Sequence, residues 1–193
     1  MSSFFDEYAL VAGGDYGQPL FKRMPMGFDK YAEISSGVYN DGILTVCGDK
    51  NFSEKTICSW DFLVGEGAIP IALLSWGDFI CASFKDKVFY LVLCQECDVV
   101  PIGNTLESVF DMNLSNKEFI KELMLKDKFV EVSRRCGSLA YGECYIHQPW
   151  EMYGGKGDVQ GYEVGDAAIY IDMVANAWKQ KNRREPNNGT RTN

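Results

Sequence analysis

The chain has 193 residues, 46% hydrophobic, 13% aromatic and 24% charged, a balance that supports a packed core and excludes a largely disordered or fibrous protein. Nineteen Lys and Arg stand against 27 Asp and Glu, for a net charge of −8, which argues against general nucleic-acid binding because neutralising phosphates needs clustered bases. The charge is uneven: the last fifteen residues hold five bases and one acid, so the first 178 carry 14 bases and 26 acids, a balance of −12.

In chain order, residues 3–12 read as a short helix, with Ser3 as cap, Asp6 in the first turn and Gly13-Gly14 as the stop. Residues 17–27 are rich in Pro and Gly and read as a loop, and 28–34 as a second short helix. An Asn40-Asp41-Gly42 turn then leads into a strand over 42–47. The centre is the clearest β region. Residues 69–74, 79–84 and 88–93 are apolar runs of strand length, separated by Trp76-Gly77-Asp78 and Lys85-Asp86-Lys87, and 99–102 adds a fourth. Short strands joined by tight turns predict an antiparallel meander with one face on a core.

Helical signals follow. Ser115 and Glu118 have the spacing of a capping box, with Phe119, Ile120, Leu123 and Met124 as the apolar stripe behind it. Phe129, Val130 and Val132 belong to a further helix or turn that ends at Cys136-Gly137, and residues 143–147 form a strand. Val164, Ala167, Ala168, Ile171, Val174, Ala175 and Trp178 then recur at 3.6-residue spacing, the face of one last helix. Ile169 and Met173 lie opposite that face, so the helix is either packed on two sides, the reading preferred here, or presents an apolar strip to a partner. From Lys179 the sequence is a solvated polar tail. The predicted fold is α+β: a central antiparallel meander flanked by helices, with the amphipathic C-terminal helix packed on the sheet.

Seven cysteines, an odd number scattered through apolar runs, predict free thiols in a reducing compartment. The N-terminal residues lack a basic start and an apolar core, and the longest apolar stretch, 68–74, is far below the ~20 residues of a membrane span. These features predict a cytoplasmic protein with no membrane contact.

The search for chemistry is constrained by a single histidine, His147. Cys144 is three residues away, and on a strand that spacing points the two side chains to opposite faces. Cys94 and Cys97 form a lone CxxC between two strands, the wrong context for thioredoxin-like chemistry. A zinc site could recruit Cys94, Cys97, Cys144 and His147, whereas the plainer reading is a hairpin turn that contains two thiols. Gly154-Gly155-Lys156-Gly157-Asp158 lacks the Ser or Thr of a phosphate-cradling loop and reads as a flexible turn. No paired-carboxylate or metalloprotease motif is present, so the residues do not point to an enzyme or to a cofactor.

The stretch from Cys136 to Gly155, followed by an amphipathic helix, resembles the C-terminal domain of the type VI secretion DNase-immunity family. The match runs through Gly137, Leu139, Glu143, Tyr145, Pro149, Gly154 and Gly155, a set of turn glycines, a proline and a tyrosine that form a structural motif. Leu74-Ser-Trp-Gly-Asp-Phe-Ile resembles the start of one of that family's strands, whereas Ile146-His147 replaces a common Gly-Phe. The likeness implies an N-terminal GAD-like region over 1–68, an immunity-type domain over 69–180 and a disordered basic tail over 181–193. It also implies a non-catalytic bacterial antidote that binds a cognate basic nuclease toxin. An acidic body would be steered onto such a toxin. Trp150 and Tyr153 interleaved with Glu151, Asp158, Glu163 and Asp166 are the candidate toxin-binding residues; the alternative is a solvated acidic face with both aromatics in the core.

Overall fold

A computed structural model describes residues 3–24 and 29–184. Its centre is a seven-stranded sheet: β1 (Leu10–Ala12), β2 (Gly37–Tyr39), β3 (Leu44–Val46), β4 (Ile69–Leu74), β5 (Phe79–Ser83), β6 (Val88–Leu93) and β7 (Asp98–Gly103). Spatial order equals chain order and every pairing is antiparallel, so the sheet is a pure meander. Thr45 pairs with Leu73, which places the strands before and after residue 68 in one sheet.

The burial pattern explains the sequence pattern. Every residue of β4 and β5 is buried, so both faces are covered and the runs are continuously apolar rather than alternating. Pro70 sits in a central strand, where its missing N–H would cost a ladder bond, and the register shifts between Pro70 and Ala72. Pro101 lies on the edge strand β7, where a proline is tolerated.

The helices are α1 (Phe4–Glu7), α2 (Asp61–Val64), α3 (Lys117–Glu122), α4 (Lys126–Cys136) and α5 (Ala167–Arg184). A separate antiparallel pair, β8 (Glu143–His147) and β9 (Tyr162–Asp166), precedes α5. The fold is α+β, and α5 packs through Ala167, Tyr170, Ile171, Val174 and Ala175, all buried. Trp60 Nε1 donates to the Ile171 carbonyl at 3.0 Å, and Trp178 Nε1 to the Cys94 carbonyl at 3.0 Å, tying the helix to residues before β4 and to the end of β6. Among the described residues, no helix is long and apolar enough to cross a membrane.

Several local expectations are corrected. The helix expected over 3–12 stops at Glu7, because Asn40 Nδ2 donates to the Glu7 carbonyl and Asn40 Oδ1 accepts from the Ala9 N–H, releasing residues 10–12 to pair with β2. The helix expected over 28–34 is a single 3-10 turn, Asp29–Tyr31; Phe28 lies outside the described residues. The cap of α3 is Asn116 rather than Ser115: Asn116 Oδ1 accepts from the N–H groups of Glu118 and Phe119, while Ser115 Oγ donates to the Phe110 carbonyl and closes a preceding π-helical turn, Ser108–Leu114.

Val164 belongs to β9, not to the last helix, because it pairs with Tyr145. Ile169 and Met173 are 61% and 51% exposed, so α5 presents an apolar strip instead of packing on two sides. The helix also continues past Lys179 to Arg184; the rest of the predicted basic tail, 185–193, lies outside the described residues.

Candidate functional site

Successive turns of a meander alternate between its two ends, so the β4–β5 and β6–β7 turns lie at the same end of the sheet. The first carries Trp76 and Asp78, the second Gln95 and Glu96, and together with β8, β9 and α5 they enclose a small pocket of about 60 Å³. Gly77 makes this closure possible. Its φ is +84°, and a Cβ there would lie 2.4 Å from the Tyr170 ring, so only glycine lets α5 come this close to the turn.

The walls are aromatic. Trp76, Tyr145, Trp150, Tyr162 and Tyr170 all line the pocket, with Trp150 edge-on to Tyr170 at 5.6 Å and Trp76 tilted against Tyr162 at 5.1 Å. Burial pushes the phenols up, Tyr145 to about 12 and Tyr162 and Tyr170 further, so these hydroxyls stay protonated at neutral pH.

Acids supply the polar lining. Asp78 Oδ1 accepts from the Cys94 N–H at 2.8 Å. Burial raises its carboxyl to about 7; the Cys94 bond opposes the shift, and the negative charges of Glu96 and Glu151 add to it. The Lys128 ammonium, from the first turn of α4, lies 4.8 Å from the centre of the Tyr162 ring, 5.1 Å from that of Trp76 and 3.8 Å from Glu151 Oε1. It rests across the rings as a cation–π contact.

His147 also lines the pocket and is only 5% exposed. Its Nδ1 lies 2.8 Å from the Pro149 carbonyl, which can only accept, so Nδ1 carries the proton of that bond. Nε2 has no hydrogen-bond partner; Asp158 Oδ2 stands 3.6 Å away. Two glycines grip the ring: a Cβ at Gly155 would lie 2.8 Å from Nδ1, and one at Gly161 would lie 2.3 Å from Nε2.

The residues expected to bind a partner divide between two places. Glu151, Trp150 and Asp158 gather at the pocket: Glu151 and Trp150 line it, and Asp158 faces His147. Tyr153 is 63% exposed and stacks on Trp150 at 6.0 Å, so one aromatic of the pair is half-buried and the other free. Glu163 follows the inward-facing Tyr162 on β9, and strand alternation turns it to the opposite face. Asp166 is at the far end of β9, where its Oδ1 caps α5 by accepting from the Ile169 N–H at 2.8 Å.

The structural motif is accounted for residue by residue. Gly137 ends α4 at φ +88°, and its carbonyl accepts from the Tyr145 hydroxyl at 2.5 Å. Leu139 is buried against Gly42, and Glu143 accepts from the Ala140 N–H at 2.8 Å. Pro149, after a cis bond, supplies the carbonyl that holds His147; Gly154, at φ +92°, and Gly155 turn the chain beneath it.

Cys94 and Cys97 occupy the β6–β7 turn, as the plainer reading of the CxxC holds. Burial pushes the Cys94 and Cys144 thiols far up, which keeps them protonated. Among the described residues, no group of three or more His, Cys, Asp or Glu side chains is placed to hold a metal ion.

Asp78, Gln95, Glu96, Lys128, Tyr162 and Tyr170 were missed as site residues. Only Asp78 left a trace in the sequence, through the Trp-Gly-Asp turn of the resemblance.

No protein-family model matches the chain, and no curated protein does. The fold is similar to the crystal structure of Atu4351 from Agrobacterium tumefaciens, with a TM-score of 0.68 and 15% identity over 90% of this chain and 87% of that one. At that identity the likeness concerns the fold alone.

Proposed function

We propose that this protein is a cytoplasmic antidote that neutralises a basic nuclease-type toxin by stoichiometric binding, without turnover. The observation that carries the reading is the pocket itself: Asp78, Glu96 and Glu151 gathered at one end of the sheet among aromatic walls, on a chain whose net charge is −8. Acids interleaved with Trp and Tyr suit a basic protein surface, because long-range attraction speeds encounter and buried aromatics hold the complex. The resemblance of residues 136–155 to the DNase-immunity family supports the same reading, and so does the exposed strip of Ile169 and Met173 on α5, which offers apolar area to a partner.

Co-expression with a nuclease-type toxin, sought among the genes beside this one, tests this. The protein is expected to protect the cells and to purify with that toxin in a 1:1 complex. Loss of viability at full expression, together with no complex on size exclusion, would sink the reading.

A further inference from the structure

The pocket's polar inventory is mostly acidic. Asp78 has one oxygen on the Cys94 N–H and its other oxygen available, Glu96 presents a carboxylate, and Glu151 presents one whose Oε1 accepts from the Tyr162 hydroxyl at 3.3 Å. Gln95 is already committed, with Oε1 accepting from the Met152 N–H and Nε2 donating to the Tyr170 hydroxyl. Three carboxylates thus stand against the Lys128 ammonium and the neutral Tyr170 hydroxyl, set among aromatic faces. The complement of such a lining is a flat cation with several N–H donors.

Size points the same way. A volume of about 60 Å³ holds about four to six water-sized atoms at ~10–15 Å³ each, and a guanidinium has four non-hydrogen atoms. The chain's own Lys128 already places a cation on the Trp76 and Tyr162 rings, yet it sits at Glu151, and the charges acting on Asp78 are the negative ones of Glu96 and Glu151. The rim is therefore occupied by an ammonium while the inner carboxyl lacks a counter-charge.

We infer that this pocket is a receptor for a guanidinium group, with Lys128 as an internal competitor that yields its place when the guanidinium enters. The guanidinium would come from an arginine side chain of the bound protein, in which case the inference rests on the antidote reading, or from a free guanidino compound. Its plane takes the place of the Lys128 ammonium on the Trp76 and Tyr162 rings, and its donors reach Asp78 and Glu151. An ammonium has one hydrated point charge and no flat face, so it satisfies the rings and one acid but not both acids at once.

Ethylguanidinium is the probe, titrated into the full chain and followed through the indole N–H signals of Trp76 and Trp150 and the ring signals of His147. Saturable shifts at all three are expected in a roughly millimolar range, as befits so few atoms. Ethylammonium is expected to bind about fivefold or more weakly. Asp78→Asn should weaken ethylguanidinium about tenfold or more, since a charge-assisted bond becomes a neutral one. Lys128→Met should tighten it by about two- to fivefold by removing the competitor. Lys128 sits at the partly exposed rim of the pocket, and Met keeps most of its apolar stem, so this second variant is informative even if Asp78→Asn fails to fold.

No saturable shift, equal binding of ethylammonium, or weaker binding by Lys128→Met each overturns the inference. The toxin complex separates the two sources. If Asp78→Asn weakens that complex in parallel with the probe, a partner arginine fills the pocket. If the complex is unchanged while the probe still depends on Asp78, a free guanidino compound does. A chain that binds ethylguanidinium but no toxin leaves the pocket assigned and removes only the antidote reading.

Discussion

The indole nitrogen of Trp60 donates to the main-chain carbonyl of Ile171 at 3.0 Å, across 111 residues of sequence and inside the core. Trp60 is fully buried and meets Phe79 edge-on at 6.1 Å, so one side chain joins the segment before β4, the central strand β5 and the C-terminal helix. Trp60→Phe keeps most of the apolar volume but strands the Ile171 carbonyl, and should cost about 1–3 kcal/mol. Trp60→Ala should cost about 3–5 kcal/mol through the cavity it leaves. Chemical denaturation gives the two values, and hydrogen exchange in α5 should quicken in both variants. Unchanged exchange in α5 would show that the bond does not anchor the helix.

Asp78 makes stability depend on pH. Burial raises its carboxyl to about 7 in the folded protein, above the ordinary aspartate value of 3.8, so the folded protein holds this proton more tightly than the unfolded chain. The contribution of the protonated carboxyl is fully present below pH ~4, declines as pH rises toward 7 and is gone above it. Asp78→Asn, which keeps an acceptor for the Cys94 N–H, should therefore stabilise the protein at pH 8 by on the order of 2 kcal/mol, and by little at pH 4. Thermal melts at the two values check the sign. An equal effect at both would mean that the carboxyl does not titrate near neutrality.

The same titration governs cation binding. The ionised form of Asp78 attracts a guanidinium and the protonated form does not, so affinity should rise through pH 6–8 and level off above it. The groups around Asp78 are Glu96, Glu151, Lys128, His147 and Tyr170, with the protonated thiols of Cys94 and Cys144 behind them. Burial is the main cause of the raised Asp78 carboxyl and the negative charges of Glu96 and Glu151 add to it, so Glu151→Gln should move the pH midpoint downward by a smaller step. A midpoint that stays in place would assign the dependence to another group.

The acids of the C-terminal region should separate by role. Charge reversal at Glu151, on the pocket, is expected to slow association with a basic partner several-fold at low salt and to reduce its salt dependence. Reversal at Glu163, on the other face of the hairpin, should change association much less. Asp166→Ala should leave association alone and cost about 1 kcal/mol of stability, the value of a lost helix cap. Stopped-flow association rates and melting curves distinguish the three. If Glu163 proves as important as Glu151, the binding face is not the pocket.

Thiol accessibility offers an independent check on the packing. Cys58 is exposed, whereas Cys47, Cys81, Cys94 and Cys144 are buried, with burial pushing their thiols up. A thiol reagent should modify Cys58 first and these four only after unfolding. Fast native-state modification of Cys94 or Cys144 would contradict the closed pocket floor.

Strands β4 to β7 were legible almost to the residue, because apolar runs of five or six residues broken by Trp-Gly-Asp or Lys-Asp-Lys have few other ways to fold. The weak strand β1 was not: Leu10–Ala12 is exposed and short, and it pairs with β2 only because Asn40, thirty residues on, ends α1 at Glu7. Val164 failed for a related reason. Its spacing continues the helical face, but strand pairing with Tyr145 outweighs one turn of helix.

The acidic balance of the chain was plain from the start, and by itself it excluded a class of partner without choosing one. Composition, strand runs and the amphipathic period of α5 were local properties, written in neighbouring residues, and they determined the fold class. The pocket was not local. Asp78, Glu96, Lys128, Glu151 and Tyr170 come from five separate segments; neighbouring aromatics mark Glu151 and the Trp-Gly-Asp turn marks Asp78, but nothing in the sequence joins the five. The meander brings two turns to the same end, and Gly77 lets Tyr170 close over them; burial then raises Asp78 toward neutrality. Charge sign is a property of composition. Where that charge is desolvated, and so able to discriminate between cations, is a property of packing, and only the tertiary structure decided it.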